Sequence, residues 1–134
     1  MPRATGIGGV FLRAKDPDAL ARWYAAHLGL AVGPDNYVSL RWSDDPDPEA
    51  STVWATFEEG TPYFGPTQQA VMINFRVDDL DALLAALQTE GVEIVPKRED
   101  HSYGKFAWIV DPEGNRVELW EPPGASIPSV DSVG

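Results

Sequence analysis

The chain has 134 residues, of which 43% are hydrophobic and 23% are charged, the ordinary composition of a single globular domain. Its formal net charge of −11 argues against nucleic-acid binding, because an acidic surface repels phosphate backbones. The absence of cysteine excludes disulfides, zinc–cysteine sites and a thiol nucleophile. No apolar run approaches the roughly 20 residues of a membrane span, and no signal-peptide pattern is present. We therefore expect an acidic cytoplasmic protein without nucleic-acid or membrane partners.

An internal repeat divides the chain into two halves. Residues 10–20 align with residues 73–83, so that Asp16 corresponds to Asp79 at an offset of 63 (79 − 16). Two pairs further along keep nearly the same spacing, since Gly29 matches Gly91 and Val53 matches Val117. A nearly constant offset indicates two copies of one module. We predict one domain over 1–121, with module one at about 6–60, a linker at about 61–69, module two at about 70–121 and a C-terminal tail at 122–134.

Module one is predicted to begin with a strand at 8–15, in which apolar residues alternate with others. Asp16 is a helix N-cap, Pro17 suits the first helical position, and Gly29 is a natural stop, which together predict a helix over 17–28. An acidic, proline-rich loop lies at 43–49. Three further strands are predicted, at about 30–33, 37–42 and 52–58.

Module two repeats this order. A strand at 71–78 leads to Asp79, which caps a helix at 80–90 that stops at Gly91. Strands follow at about 92–97, 104–110 and 115–120, and residues 111–115 (Asp-Pro-Glu-Gly-Asn) form the turn between the last two. The predicted fold class is α+β, with two tandem βαβββ modules that form cupped mixed sheets and carry their helices on the outer face.

Several of these segments resemble a known family. The stretch from Phe11 to Pro17, followed by Trp-Tyr at 23–24 and His-Leu-Gly-Leu at 27–30, resembles the first module of the vicinal oxygen chelate superfamily, the glyoxalase/bleomycin resistance protein/dioxygenase family. The stretch Asp-Pro-Glu-Gly-Asn-Arg-Val-Glu-Leu at 111–119 resembles its closing turn and last strand. The resemblance covers residues 7–121 and implies a homodimer. It leaves the activity open, because this fold carries isomerases, dioxygenases, transferases and binding proteins.

The resemblance also indicates where a metal would bind. Metal-dependent members place one ligand on the first and one on the last strand of each module, which correspond here to Gly9, Trp54, Met72 and Glu118. Only Glu118 offers a suitable group, since glycine has no side chain, the indole only donates, and a thioether suits soft metals. We therefore expect no cofactor. The alternative is a divalent metal held by Glu118 together with a non-standard ligand such as His101.

Strand alternation predicts a concave, largely aromatic surface on the side of the sheets away from the helices. This composition is typical of a small-molecule site. The predicted ligand-pocket residues are Phe11, Arg13, Trp54, Thr56, Met72, Asn74, Arg76, Arg116, Glu118 and Trp120. The alternative is a filled interior, in which a buried Glu118 pairs with one of these arginines. The aromatic segment 63–66 is either a lid over the pocket or a packed linker.

Two functions are compatible with this sequence. The first is a metal-free protein that binds a small aromatic or amphipathic molecule, and the acidity of the chain extends this class to cationic ligands. The second is a glyoxalase-like lyase or isomerase, or a dioxygenase-type enzyme, in which Glu118 is the catalytic residue. His27 and His101 are predicted to be packing or surface residues. The sequence has neither a Ser-His-Asp motif nor a phosphate-binding glycine loop.

Overall fold

The computed structural model describes residue 7 and residues 9–123. The predicted tail from residue 124 onward and the start of the predicted first strand lie outside the described residues. The elements in chain order are α1 (Pro17–Leu28), a short 3-10 helix (Trp42–Asp44), β1 (Ile73–Arg76), α2 (Leu80–Thr89), β2 (Glu93–His101), β3 (Gly104–Val110) and β4 (Arg116–Glu121). Neither α-helix in this part of the chain is long and apolar enough to cross a membrane.

The four strands form one open sheet in the order β1–β4–β3–β2. β1 runs parallel to β4, whereas β3 is antiparallel to both of its neighbours. The connection from β1 to the antiparallel strands passes through α2, so this half of the chain is a complete βαβββ unit. The predicted α+β class and the predicted architecture of the second module are thereby confirmed.

Both helices begin at the residues that the sequence indicates. α1 also ends as predicted, whereas α2 ends at Thr89, one residue before the predicted end. The Asp16 side chain accepts a hydrogen bond from the Ala19 backbone N–H at 3.0 Å, and Asp79 does the same for Ala82 at 3.1 Å. Each cap satisfies one of the backbone donors that have no partner inside the first helical turn. α1 ends at Gly29, whose φ of 70° is a left-handed conformation that glycine adopts without strain.

The two helices pack on one face of the sheet. In β3 and β4 the residues that face the helices alternate with residues that face away, and Ala107 and Ile109 stand opposite Leu119 and Val117. The fully buried cluster consists of Leu20, Tyr24, Leu80, Leu87, Ala107, Ile109, Val117 and Leu119. The other face of the sheet, which we call the open face, is therefore presented away from this core.

The first half of the chain departs from the prediction. It contains α1, but within the described residues it contains no strand at 9–15, 30–33, 37–42 or 52–58. Large apolar side chains in these segments face solvent, including Phe11 at 91% and Trp54 at 75% exposure. A strand forms only beside a hydrogen-bonding partner. The alternating sequence fits a strand, but the single chain does not supply the partner.

The β3–β4 turn attaches α1 to the second module. The buried hydroxyl of Tyr24 donates to Asp111 Oδ2 at 2.8 Å. Asp111 also accepts hydrogen bonds from the backbone N–H groups of Glu113 and Asn115, which fix its carboxylate. The Glu113 carboxylate in turn accepts the backbone N–H of Asp16 at 3.2 Å. The turn that carries the family resemblance thus holds the N-terminal end and the middle of α1.

Replacing Tyr24 with phenylalanine is expected to lower the free energy of unfolding by about 1.5 kcal/mol at neutral pH, because a hydrogen bond to a charged group is lost. Burial, together with the hydrogen bond to Asp111, raises the pKa of the Tyr24 hydroxyl above its ordinary value of 10.0. This contribution to stability is therefore fully present below pH 10 and is lost as the pH rises above it. The Tyr24→Phe variant should show a smaller decline.

Urea unfolding at about pH 7 and about pH 10.5 measures both effects. Tyr103→Phe is the matched control, since this tyrosine is 59% exposed and the substitution should change neither value. An unchanged stability at neutral pH, or a decline above pH 10 as steep as that of the wild type, would contradict the prediction.

Candidate functional site

Glu118 lies at the centre of the open face and is 7% exposed. The strand register places it opposite Trp108 on β3 and Asn74 on β1. Asn74 Nδ2 donates to Glu118 Oε1 at 2.6 Å, and Trp108 Nε1 donates to Oε2 at 3.0 Å. The Tyr63 hydroxyl also donates to Oε2. Three of the roughly four lone-pair positions of the carboxylate are therefore occupied, all by neutral donors.

No arginine fulfils the expected role of partner to Glu118 among the described hydrogen bonds. Arg76 instead pairs with Asp45 at 3.1 Å and with Asp47 at 3.3 Å, and both acids belong to the 43–49 loop. The hydrogen bond from Arg76 holds the pKa of Asp45 below its ordinary value. The register explains the difference, because Asn74 and not Arg76 stands beside Glu118.

Asn74, Glu118 and Trp108 form one row across the strands, and a second row of side chains lies next to it on the open face. Phe106 and Arg76 stand opposite Trp120 on its two sides. The Phe106 and Trp120 rings stack with centroids 6.1 Å apart, and Arg76 Cζ lies 5.5 Å from the Trp120 ring centroid. Trp120 Nε1 donates to the Tyr103 carbonyl at 2.9 Å. Gly104 has a φ of 135°, and a Cβ there would collide with Trp120, so glycine allows this indole position.

The 61–69 linker packs onto one end of the open face. The Tyr63 ring meets the Trp108 ring edge-on, with centroids 5.8 Å apart. Burial, together with the hydrogen bond to Glu118, raises the pKa of the Tyr63 hydroxyl above its ordinary value, so it stays a donor. Gln69 Oε1 accepts the backbone N–H of Arg116 at 2.7 Å, which fixes the linker to β4. Of the two predicted roles for the aromatic segment, the single chain shows a packed linker.

β2 reaches the open face through a bulge. The register shifts between Ile94 and Arg98, and Pro96, which has no N–H to donate, lies inside this interval. Lys97 Nζ then lies 5.1 Å from the Trp108 ring centroid and 5.7 Å from the Tyr63 ring centroid. The alternation of apolar residues does not indicate where a bulge occurs, so Lys97 was not predicted to reach the open face.

His101 lies at the end of β2, where the sequence predicted a loop. Its Nε2 lies 3.0 Å from Glu99 Oε1, and its ring stacks on Tyr103 with centroids 4.7 Å apart. These contacts engage His101 away from Glu118. His27, the other histidine, contacts Glu90 at 2.6 Å and joins the two helices on the opposite side of the molecule.

The ten predicted pocket residues fall into two groups in the single chain. The structure brings together Asn74, Arg76, Arg116, Glu118 and Trp120 on β1 and β4, and Met72 lies half-buried directly before β1. The other four, on the unpaired first half, are exposed: Phe11, Arg13, Trp54 and Thr56. Their place in a pocket stays a prediction.

Two surface depressions in the described residues lie away from the predicted pocket. One, of about 310 Å³, lies between α1 and the turn at 32–36, and the other, of about 400 Å³, lies beside Trp42. Glu118 lines neither. In the single chain the candidate site is therefore an open aromatic face centred on a buried acid.

Four contributors to the site were missing from the predicted set: Tyr63, Lys97, Phe106 and Trp108. Trp108 could have been found, because it is two residues from Phe106 on a predicted strand and the same alternation applies there. Tyr63 had only the weak signal of an aromatic linker. No group of three or more histidine, aspartate or glutamate side chains that could hold a metal ion occurs in the described part of the chain.

Comparison with known proteins identifies the family to which this chain belongs. Residues 9–120 match the family model described as a glyoxalase-like domain. The chain belongs to this family. The resemblance to the vicinal oxygen chelate superfamily is thereby confirmed, since the match covers both modules and the linker. The comparison of this glyoxalase-like domain with curated proteins gives no match.

Solved structures provide a comparison of the fold. TnmS3 from Streptomyces sp. CB03234, an antibiotic binding protein, is 21% identical over 89% of this chain and 99% of its own, with a TM-score of 0.53. Oxidase ChaP-H2 is 22% identical over 85% and 91%, with a TM-score of 0.50. A glyoxalase/bleomycin resistance protein from the same Streptomyces is 32% identical, but the match spans only 39% of this chain and 46% of that one, with a TM-score of 0.35. The likenesses to TnmS3 and to ChaP-H2 show the fold and leave the activity open.

Proposed function

We propose that this glyoxalase-like domain binds a small aromatic or amphipathic organic molecule on its open face, without a metal ion. The observation that carries the proposal is the environment of Glu118. A buried carboxylate is costly unless it is compensated, and here its hydrogen-bonding partners are three neutral donors. A ligand that offers a polar hydrogen or a positive charge to the remaining lone pair would complete the compensation.

The aromatic side chains of the open face supply the apolar contact for such a ligand. Trp120 and Phe106 form a stacked pair, and Trp108 and Tyr63 form an edge-on pair next to it. Aromatic rings bury large areas and accept planar ligands by stacking. A few polar groups among many rings is the usual composition of a small-molecule site.

The charge of the open face favours neutral or cationic ligands over anionic ones. Four acids and three basic residues lie on or around it: Glu118, Glu99, Asp45 and Asp47 against Lys97, Arg76 and Arg116. The acidic residues of the 43–49 loop neutralise Arg76, which would otherwise attract an anion. The net charge of −11 on the whole chain acts in the same direction.

The side chains available as metal ligands support binding without a metal. Of the four positions that the family resemblance assigns to metal ligands, only Glu118 carries an oxygen ligand, and its oxygens accept hydrogen bonds from N–H and O–H groups. A hard divalent cation needs several oxygen or imidazole ligands. The residues at this site do not fit that requirement. TnmS3, which shares this fold, is an antibiotic binding protein, and this supports small-molecule binding as the class of function.

We further propose that the protein acts as a homodimer. The first half of the chain exposes many large apolar side chains: Val10, Phe11, Leu12, Tyr37, Leu40, Trp42, Val53, Trp54 and Phe57. We call these residues the exposed apolar set. Exposed apolar surface of this extent marks an interface. A second copy would provide strand partners for these segments and would cover the open face, which turns it into an enclosed pocket.

A thermal-shift screen of aromatic compounds in the presence of EDTA tests the binding proposal. A ligand at about 100 times its Kd should raise the Tm by roughly 8 °C, because it stabilises only the folded state. Trp120→Leu should abolish this shift. Trp23→Leu, which removes a half-buried tryptophan from α1 on the helix side, should keep it.

The outcomes separate the candidate functions. A shift that requires a stoichiometric metal would overturn the metal-free proposal, and consumption of the bound compound would establish the glyoxalase-like lyase, isomerase or dioxygenase-type enzyme instead. A screen in which no aromatic compound raises the Tm would contradict the proposed aromatic ligand class.

A further inference from the structure

The side chain of Lys97 occupies a corner between two aromatic rings. The Tyr63 and Trp108 rings stand at 87° to each other, and the lysine ammonium lies 5.7 Å and 5.1 Å from their centroids. Glu99 Oε2 lies 3.1 Å from the same ammonium. Both rings also donate hydrogen bonds to the buried Glu118. The corner therefore combines two ring systems with carboxylates on two sides.

This combination is suited to an ammonium group. A cation within about 6 Å of an aromatic ring is attracted by the electron density of the ring face, and aromatic corners of this kind recognise alkylated ammonium ligands. Trp108 is only 1% exposed and its indole N–H is bonded to Glu118, so the ring cannot move away from its position at low cost. The aromatic side of this cation–π contact is therefore held in place.

The Lys97 ammonium group is held less firmly than the Trp108 ring. Lys97 is 49% exposed, its stem is flexible, and it sits in the irregular part of β2. Its release costs one ion pair at the surface and two cation–π contacts, each of which contributes little when it is exposed to water. The network of Glu118, Tyr63 and Trp108 does not depend on it.

We propose that this aromatic corner is a subsite for the ammonium group of an alkylamine or quaternary-ammonium ligand, and that Lys97 is an internal occupant that the ligand displaces. The proposal rests on the proposed function of the open face, and it defines the cationic part of the ligand. Lys97 then acts as a specificity residue, since only a cation that competes with the tethered ammonium enters the corner.

Binding of choline to the Lys97→Met variant tests the proposal, with 3,3-dimethylbutan-1-ol as the neutral probe of the same shape. Choline should bind about tenfold more tightly to this variant than to the wild type, because its competitor is gone. Affinity for the neutral alcohol should stay within about twofold. Isothermal titration calorimetry gives both values. In the wild type, choline should shift the indole N–H resonance of Trp108 in nuclear magnetic resonance spectra.

Lys105→Met is the matched control. Lys105 is 43% exposed and lies near two carboxylates, those of Asp81 and Glu121, so its removal changes the net charge by the same amount elsewhere. An equal gain in choline affinity in both variants would show that the gain comes from the change in net charge alone, and this would overturn the proposal. An equal gain for the alcohol and for choline would also overturn it, because the corner would then be merely apolar.

The aromatic-compound screen on the wild type is independent of this measurement. If aromatic compounds raise the Tm but Lys97→Met gains no affinity for choline, the ammonium subsite is wrong and the binding function stands. If choline binds as expected but no aromatic compound does, the subsite stands and the proposed aromatic ligand class is wrong.

Discussion

Replacing Glu118 with glutamine is expected to lower the free energy of unfolding by about 2 kcal/mol, because a buried donor is left without its acceptor. The glutamine amide would present its own N–H groups toward Tyr63, Asn74 or Trp108, which are all donors to the carboxylate. With Asn74 held in its present orientation, at least one hydrogen bond is lost whichever way the glutamine amide is turned. Urea unfolding measures the change.

The same substitution should also remove the ligand-induced rise in Tm, since the negative charge at the centre of the open face disappears. Glu90→Gln is the matched control. Glu90 lies at the end of α2, away from the open face, and its side chain is 42% exposed and pairs with His27. Its loss should cost at most about 1 kcal/mol and should retain ligand binding. A Glu118→Gln protein as stable as the wild type, with its ligand response intact, would show that this acid is not the centre of the site.

Wild-type protein is expected to sediment as a dimer, and Trp54→Asp should weaken the dimer by more than about 100-fold. Trp54 is 75% exposed in the single chain and belongs to the exposed apolar set. Tryptophan dominates the binding energy of many interfaces, and a carboxylate in its place would have to be buried without a partner. Sedimentation equilibrium over a range of concentrations gives the dissociation constant of both proteins.

Ala82→Asp provides the control for the added charge. Ala82 is exposed in the first turn of α2, where an acidic side chain suits the positive end of the helix. This variant should remain dimeric. A wild-type protein that sediments as a monomer at all accessible concentrations would refute the homodimer, and the exposed apolar set would then need a different partner.

Short-range sequence signals predicted the second module well. The helix limits followed from Asp16 and Asp79 as caps and from Gly29 and Gly91 as stops, because a cap acts on the three or four residues beside it. The alternation of apolar residues predicted which side of β4 packs under the helices. The isolation of Glu118 as the only suitable acid among the family ligand positions also came from the sequence.

Only the tertiary structure decided what surrounds that acid. The three donors to Glu118 come from positions 63, 74 and 108, and their meeting depends on strand register and on the path of the linker. The sequence suggested an arginine instead, since charge complementarity carries no information about register. The bulge that brings Lys97 to the aromatic corner likewise has no counterpart in a regular pattern.

The first half of the chain shows the same division between local and distant information. Its sequence determined the helix and an alternation suited to strands, because both depend on neighbouring residues. Whether such a segment becomes a strand depends on a partner backbone that offers hydrogen bonds along its length, and within the described residues the single chain provides none for the predicted strands. Alternation fixes which side chains share a face, whereas pairing, register and assembly require contacts between residues that are distant in the chain or belong to a second copy.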